Sequence, residues 1–190
     1  MSAHCSITGR CNFQCRHCLL SAPDAHHPHL PLKDCLHIIH EIAECGIRRV
    51  DITGGEPLLR TNFSEIVGEL TRCGIQIGTL FTNASLLTED TLQMLQSYHQ
   101  TPVIQLSFDG LGHHDWLRGV PGAEAQADRA FRLLKQYDFM VIVAMCIHKE
   151  NRDSIRATSQ LPGESGCQIP APERAAGAWP LETVCRRVRT

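Results

Sequence analysis

The stretch VDITGGEPLLRTNFSEIVGELTRCGIQIGTLFTN, Val50 to Asn83, passes from strand to helix and back to strand. "IRRVDITGG" is a short strand that stops on two glycines, and "TNFSEIVGELTRCG" is a helix opened by Thr61 or Asn62 and ended by Gly74. "IQIGTLFTN" then returns to strand. Two strands joined through a helix are the crossover unit of a parallel sheet.

The same alternation continues on both sides. Towards the amino terminus, "LKDCLHIIHEIAEC" places Leu32, Leu36, Ile39, Ile42 and Ala43 on one helical face, and Gly46 is the stop. The preceding "SAPDAHHPHLP", Ser21 to Pro31, is a loop, and the segment around "CSIT" is a first strand. Towards the carboxyl terminus, "LTEDTLQMLQSYH" is a helix entered through Thr88 and "PVIQLSFDG" a strand. "EAQADRAFRLLKQY" is then a helix and "FMVIVAMCIHK" a strand. This α/β pattern, about five βα units in strict order, predicts a parallel sheet with right-handed crossovers, curled into a partial barrel or left open. In either closure ligands gather at the carboxyl ends of the strands.

Composition narrows the function. A chain of 190 residues, 43% hydrophobic, is long enough for one core. The formal charge of −2 comes from interspersed acids and bases, so no basic stripe is present to neutralise phosphates and no nucleic-acid partner is expected. The longest apolar run, Phe139 to Ile147, is half of what a bilayer crossing needs, and no apolar signal segment precedes Cys11. No membrane association is expected, and the expected compartment is the cytoplasm. Of 10 cysteines most are scattered, but Cys11, Cys15 and Cys18 form a C-x3-C-x2-C run. In a reducing compartment that clustering points to metal or redox chemistry rather than disulfides.

The unusual residues fall at strand ends. "TGRCNFQCRHC" follows the first strand, "TGGEP" the second, "TN" the third and "SFDG" the fourth, so all four converge on one rim. Thiolates suit zinc or an iron-sulfur cluster. Zinc needs a fourth ligand, for which His17, His26, His27 and His29 are candidates. A cluster on three cysteines leaves one iron for a small molecule carrying an amine and a carboxylate. Gly54 and Gly55 allow close backbone approach, Glu56 offers an acceptor for an ammonium group, and Pro57 fixes the exit direction. Ser107 and Asp109 share a face of their strand and suit ribose hydroxyls or a carboxylate. Arg118, in "HHDWLRG", suits a bidentate carboxylate contact.

Taken in order, "CNFQCRHC", "TGGEP", "FTN" and "LSFDG…HDWLRG" resemble the radical S-adenosylmethionine superfamily over Ser6 to about Arg156. The resemblance implies a partial (β/α)6 TIM-like barrel and a 4Fe-4S cluster on Cys11, Cys15 and Cys18. S-adenosylmethionine would chelate the remaining iron and be cleaved reductively to a 5'-deoxyadenosyl radical that abstracts hydrogen from substrate. It implies methionine contacts at Gly54, Gly55, Glu56 and Pro57, carboxylate and ribose contacts at Ser107 and Arg118, and adenine packing at His17, with Asp109 added to the cofactor contacts by its place beside Ser107. No protein residue is assigned a catalytic role of its own. "SFDG", "HDWLRG" and "GAEAQADRAFRLL" are similar to the branch that modifies peptides and proteins, with relatives in cofactor pathways. That similarity implies a peptide or small-molecule substrate and a low-potential electron donor such as flavodoxin or ferredoxin. An inactive remnant of such an enzyme and a zinc-binding interaction module are the alternative readings.

After "KENRDSIRAT" the pattern stops. Ser159 to Thr190, rich in proline, carries neither helical nor strand period where a sixth unit belongs. The expected organisation is an incomplete core over residues 1–158 and an irregular tail over 159–190. The tail is read as out of register with its ancestral gene, or as the end of a truncated product, and reading the DNA in the other frames tests this.

Overall fold

The computed structural model describes residues 2–19 and 30–164. Five strands form one sheet in the order β1-β2-β3-β4-β5. They are β1 (Ser2–Ser6), β2 (Arg49–Thr53), β3 (Gln76–Thr82), β4 (Val103–Ser107) and β5 (Val141–Ala144). Every neighbouring pair is parallel, with Cys5 beside Ile52, Ile52 beside Leu80, Leu80 beside Ile104 and Leu106 beside Val143. Strands laid down in sequence order, each crossover turning the same way, carry their helices on one face and curve as a barrel wall. The expected α/β partial barrel is therefore the observed architecture.

The helices are α1 (Leu32–Glu44), α2 (Phe63–Arg72), α3 (Glu89–Ser97), α4 (His114–Arg118), α5 (Ala123–Gln136) and α6 (Ile155–Glu164). α3 is capped as its sequence suggests, with the Thr91 N–H donating to Thr88 Oγ1 at 3.2 Å. α2 is entered at Asn62, but the Asn62 side chain accepts from Arg60 Nε at 2.6 Å and makes no cap bond.

Alternation along the strands sorts the side chains into two layers. Val50, Ile52, Ile77, Leu80, Ile104, Leu106 and Val141 face the helices and meet Ile39, Ile66, Leu70, Leu92, Leu95, Phe131 and Leu134 in one buried core. The other face carries Arg49, Asp51 and Thr53 on β2 and Gln105 and Ser107 on β4, all at least partly exposed.

Three details differ. The first strand lies at Ser2–Ser6, ahead of the expected "CSIT", so the cysteine loop begins directly at Ile7. "HDWLR", to which the sequence reading assigned no element, is a short helix, α4. α6 runs from Ile155 to Glu164, across the expected boundary at residue 158, so the segment read as irregular begins as helix. The doubtful register of residues 165–190 falls outside the described residues.

Candidate active site at the carboxyl ends of the strands

The cysteine loop and the Gly-Gly turn are built against each other. Beyond the strands, parallel pairing continues as Ile7 N donates to Thr53 O at 3.0 Å, Gly55 N to Thr8 O at 2.8 Å and Glu56 N to Arg10 O at 2.9 Å. A Cβ on Gly54, whose φ is +147°, would lie 2.3 Å from the Thr8 carbonyl oxygen. One on Gly55 would lie 2.3 Å from that of Arg10. The room these glycines make is thus filled by the cysteine loop, which no other residue pair would admit. Pro57 is buried and opens a 3-10 turn that ends at Leu59.

N–H groups point at the sulfurs. Phe13 N donates to Cys11 Sγ at 3.4 Å, Asn83 Nδ2 to Cys11 Sγ at 3.8 Å and Arg118 Nη1 to Cys15 Sγ at 3.7 Å. Burial pushes the Cys11 and Cys15 thiols up, opposed by Phe13 N–H at Cys11 and by Arg118 at Cys15. Such donors stabilise sulfur as thiolate, the form that ligates metal. His26, His27 and His29 lie outside the described residues. His17 is half-buried with Nδ1 lacking a partner among the described residues, and burial pushes its pKa down.

Asp109 and Arg118 form a buried pair. Arg118 Nε donates to Asp109 Oδ2 at 2.6 Å and Nη2 to Oδ1 at 3.1 Å, the fork geometry that holds a guanidinium flat. Cys146 N adds a bond to Oδ1 at 2.9 Å, and His114 Nδ1 lies 3.1 Å from Oδ2. Burial alone would push the Asp109 carboxyl up. The His114 hydrogen bond, the Arg118 charge and the Cys146 N–H outweigh it and hold the pKa below the usual range. Asp109 is fully buried with both oxygens taken, so the expectation that it meets a ligand gives way to a different role: it aims Arg118. α4 is in turn tied to the cysteine loop, with Gln14 N donating to Arg118 O at 3.2 Å and Arg16 N to Leu117 O at 2.9 Å. Ser107, at the end of β4, remains half-exposed on the open face of the sheet.

Glu56 is also turned inward. Its carboxyl is fully buried and accepts from Thr82 Oγ1 at 2.9 Å, Asn83 N at 2.8 Å and Leu58 N at 3.1 Å. These three bonds tie β3's end to the Gly-Gly turn, two of them on Oε1 and one on Oε2. Burial pushes its pKa up to about 7, against the pull of the Asn83 and Leu58 N–H groups and the Thr82 hydroxyl.

Two contributors escaped the sequence reading. Asn83 donates to Cys11 Sγ and, at 3.0 Å, to Asn12 Oδ1; its only signal was the position of "TN" at a strand end. Asn151 is fully buried and its Nδ2 donates to Asp109 O at 2.8 Å and Cys146 O at 2.9 Å, fastening the β5 exit to the pair. Nothing in "KENRDS" marks it.

Residues 5–161 match the family described as the Radical SAM superfamily. This chain belongs to the radical SAM superfamily. The superfamily's cofactors are a 4Fe-4S cluster and S-adenosylmethionine. The chain is 28% identical over 165 residues to the "Antilisterial bacteriocin subtilosin biosynthesis protein AlbA" of Bacillus subtilis (strain 168), covering 85% of this chain and 36% of that protein. It is 31% identical over 163 residues to an "AdoMet-dependent heme synthase" of Methanosarcina barkeri (strain Fusaro / DSM 804), covering 84% of this chain and 46% of that one. The fold matches Streptococcus suis SuiB bound to S-adenosylmethionine with a TM-score of 0.75 at 20% identity, over 88% of this chain and 39% of SuiB. The chain thus spans less than half the length of these relatives. No described helix of this radical SAM chain is long and apolar enough to cross a membrane.

Proposed function

We propose that the chain is the cluster-binding and S-adenosylmethionine-binding core of an enzyme that modifies a peptide. The observation that carries this is the set of three N–H donors, from Phe13, Asn83 and Arg118, aimed at the Cys11 and Cys15 sulfurs beside the Gly-Gly turn. In this reading Cys11, Cys15 and Cys18 hold three irons of a 4Fe-4S cluster and leave the fourth to an outside ligand. When bound, the cluster supplies the electron that divides S-adenosylmethionine into methionine and a 5'-deoxyadenosyl radical able to take hydrogen from substrate.

The chain's residues do the rest. Gly54 and Gly55 clamp the cysteine loop, and the backbone from there to Pro57 faces the methionine portion. Arg118, held by Asp109 through Nε and Nη2 and reaching Cys15 Sγ through Nη1, has five N–H donors and keeps the others for a carboxylate. Ser107 offers a hydroxyl to the same portion or to ribose. The half-buried His17, its Nδ1 without a partner among the described residues, would pack against the adenine. The open face of the sheet, with Asp51 and Gln105, receives the substrate. A peptide is favoured by the likeness to AlbA and by SuiB, which is known bound to the precursor peptide SuiA. A small-molecule reaction of cofactor synthesis is the second reading, supported by 31% identity to the heme synthase. A flavodoxin or ferredoxin is the proposed electron donor.

Anaerobic reconstitution with iron and sulfide tests the reading. About four irons per chain and formation of 5'-deoxyadenosine on reduction with S-adenosylmethionine are expected, and both should vanish in Cys15→Ala. A folded chain that takes up no cluster but holds zinc that Cys15→Ala abolishes would favour the interaction module. A chain that holds the cluster yet forms no 5'-deoxyadenosine would be the inactive remnant.

A further inference from the structure

A second group of ligand-type side chains sits in the helical layer, at the other end of the strands from the cysteine loop. α2 ends where β3 begins, with Ile75 N donating back to Leu70 O at 2.8 Å, so its last turn lies at the amino end of the sheet. Glu69 and Cys73 are four residues apart there and share a face of the helix. His40 reaches them from α1. His40 Nε2 lies 2.8 Å from Glu69 Oε1, and Cys73 Sγ lies 3.9 Å from both Glu69 Oε1 and His40 Nδ1. Among the described residues these three are the group of metal-ligating side chains whose ligand atoms fall within 4.8 Å of one another.

We propose that His40, Glu69 and Cys73 bind one Zn2+ ion, with water as the fourth ligand, as a site separate from the cysteine loop. Zinc takes nitrogen, sulfur and oxygen together, and bond lengths of about 2.0–2.3 Å set ligand-to-ligand edges of roughly 3.3–3.6 Å in a tetrahedron. The observed separations of 2.8 and 3.9 Å bracket that range. The His40 ring must turn so that a single nitrogen faces the ion, and at 54% side-chain exposure it is free to do so. Glu69 supplies an anionic ligand. Its side chain is only 6% exposed, on a helix face otherwise occupied by Ile66 and Leu70, and a carboxylate in that setting needs compensating charge. Arg72 pairs with Oε2 from an exposed position and offsets the carboxylate charge there, leaving Oε1 to face His40 and Cys73. A divalent cation at Oε1 would engage both His40 and Cys73, whose sulfur lies 3.9 Å from Glu69 Oε1 and from His40 Nδ1. The ion would pin α1 to α2. It has no part in the chemistry at the cysteine loop.

The test is zinc content of the full chain after incubation with ZnCl2 and dialysis, with the cysteine loop occupied by reconstituted cluster. It compares wild type, His40→Ala, Cys73→Ser and, as a control, Cys45→Ser, an exposed cysteine outside the group. Wild type and C45S should retain one more Zn2+ per chain than H40A and C73S, at equal iron content. Zinc should also raise the melting temperature of the wild type by about 5 °C or more, and leave that of both variants unchanged. Where the cluster does not load, the loss of one equivalent is read from the iron-free chain, so this outcome is separable from failure of the radical SAM reading. Equal zinc in all four proteins, or none beyond the cysteine loop in the wild type, overturns the proposal and leaves an ordinary His-Glu-Arg hydrogen-bonded trio.

Discussion

Burial raises the Glu56 pKa from an ordinary 4.5 to about 7, and this single residue sets a pH dependence. The folded chain binds the proton more tightly than the unfolded one does. The stability this contributes is therefore fully present below about pH 4.5 and is lost as pH rises towards 7, an effect of about 3 kcal/mol. Glu56→Gln should lower stability at every pH, because an amide cannot accept from Asn83 N while keeping Leu58 N and Thr82 on the other atom. Its urea midpoint should also lack the wild-type decline between pH 4.5 and 7. Parallel curves for the two proteins would show that Glu56 does not titrate in that window. At Gly55 the issue is space. Gly55→Ala puts a methyl group where the Arg10 carbonyl stands 2.3 Å away, with backbone that cannot swing aside. The cysteine loop must move, so iron uptake should fall at least tenfold, by the scale of a disturbed outer shell (about 10–100-fold), while far-ultraviolet dichroism is retained. Unchanged iron content would mean that the loop is not held by this contact.

The element that matters most to the site is α4, joined to β4 through Asp109. Removing one partner of a buried pair leaves the other uncompensated, at a cost of about 3–5 kcal/mol. Asp109→Asn should destabilise the chain by this order in urea and weaken S-adenosylmethionine binding, measured by calorimetry, because Arg118 loses its aim. Arg118→Lys keeps the charge without the fork and should recover stability more than ligand affinity. If D109N binds S-adenosylmethionine as the wild type does, Asp109 is not positioning Arg118. This element also shows what could be read beforehand. The five strands and their order were legible because apolar runs and glycine stops recur between periodic helices, and the cysteine run and Gly-Gly-Glu-Pro turn stand out by residue type. α4 was not, since five residues are too few for a 3.6-residue period to register. Nor did the pattern reveal that Glu56 and Asp109 point inward, because a Glu before Pro and an Asp before Gly have the look of exposed turn residues. Their burial depends on Thr82, Asn83, Arg118 and Cys146, which lie 9 to 37 positions away.

At the scale of the whole molecule the sheet is a wall with two open edges among the described residues. β3 is flanked on both sides, whereas β1 pairs only with β2 and β5 only with β4. Beside β1 lies an apolar groove of about 300 Å³, lined by Ala3, Cys5, Ile7, Ile38, Ile39 and Ile42. An amide in the middle of a wall opens only with the wall, while one on a free edge opens by local fraying, so exchange rates should record the topology. The amides of β3 from Ile77 to Phe81 should exchange with the free energy of global unfolding. Those of β1 and β5 that point away from their single partner should exchange orders of magnitude faster, because openings span from near zero to the global value. Hydrogen exchange read residue by residue over Ser2–Ser6 and Val141–Ala144 decides this. Protection at β1 equal to that at β3 would mean that another segment, from this chain or a second copy, lies along the edge and over the groove. The cysteine loop leaves directly from Ser6, so an edge that frays at β1 also loosens Cys11. Iron loading should then slow exchange at Cys5 and Ser6 before it affects β3, and a loaded chain with unaltered β1 exchange would separate the edge from the site.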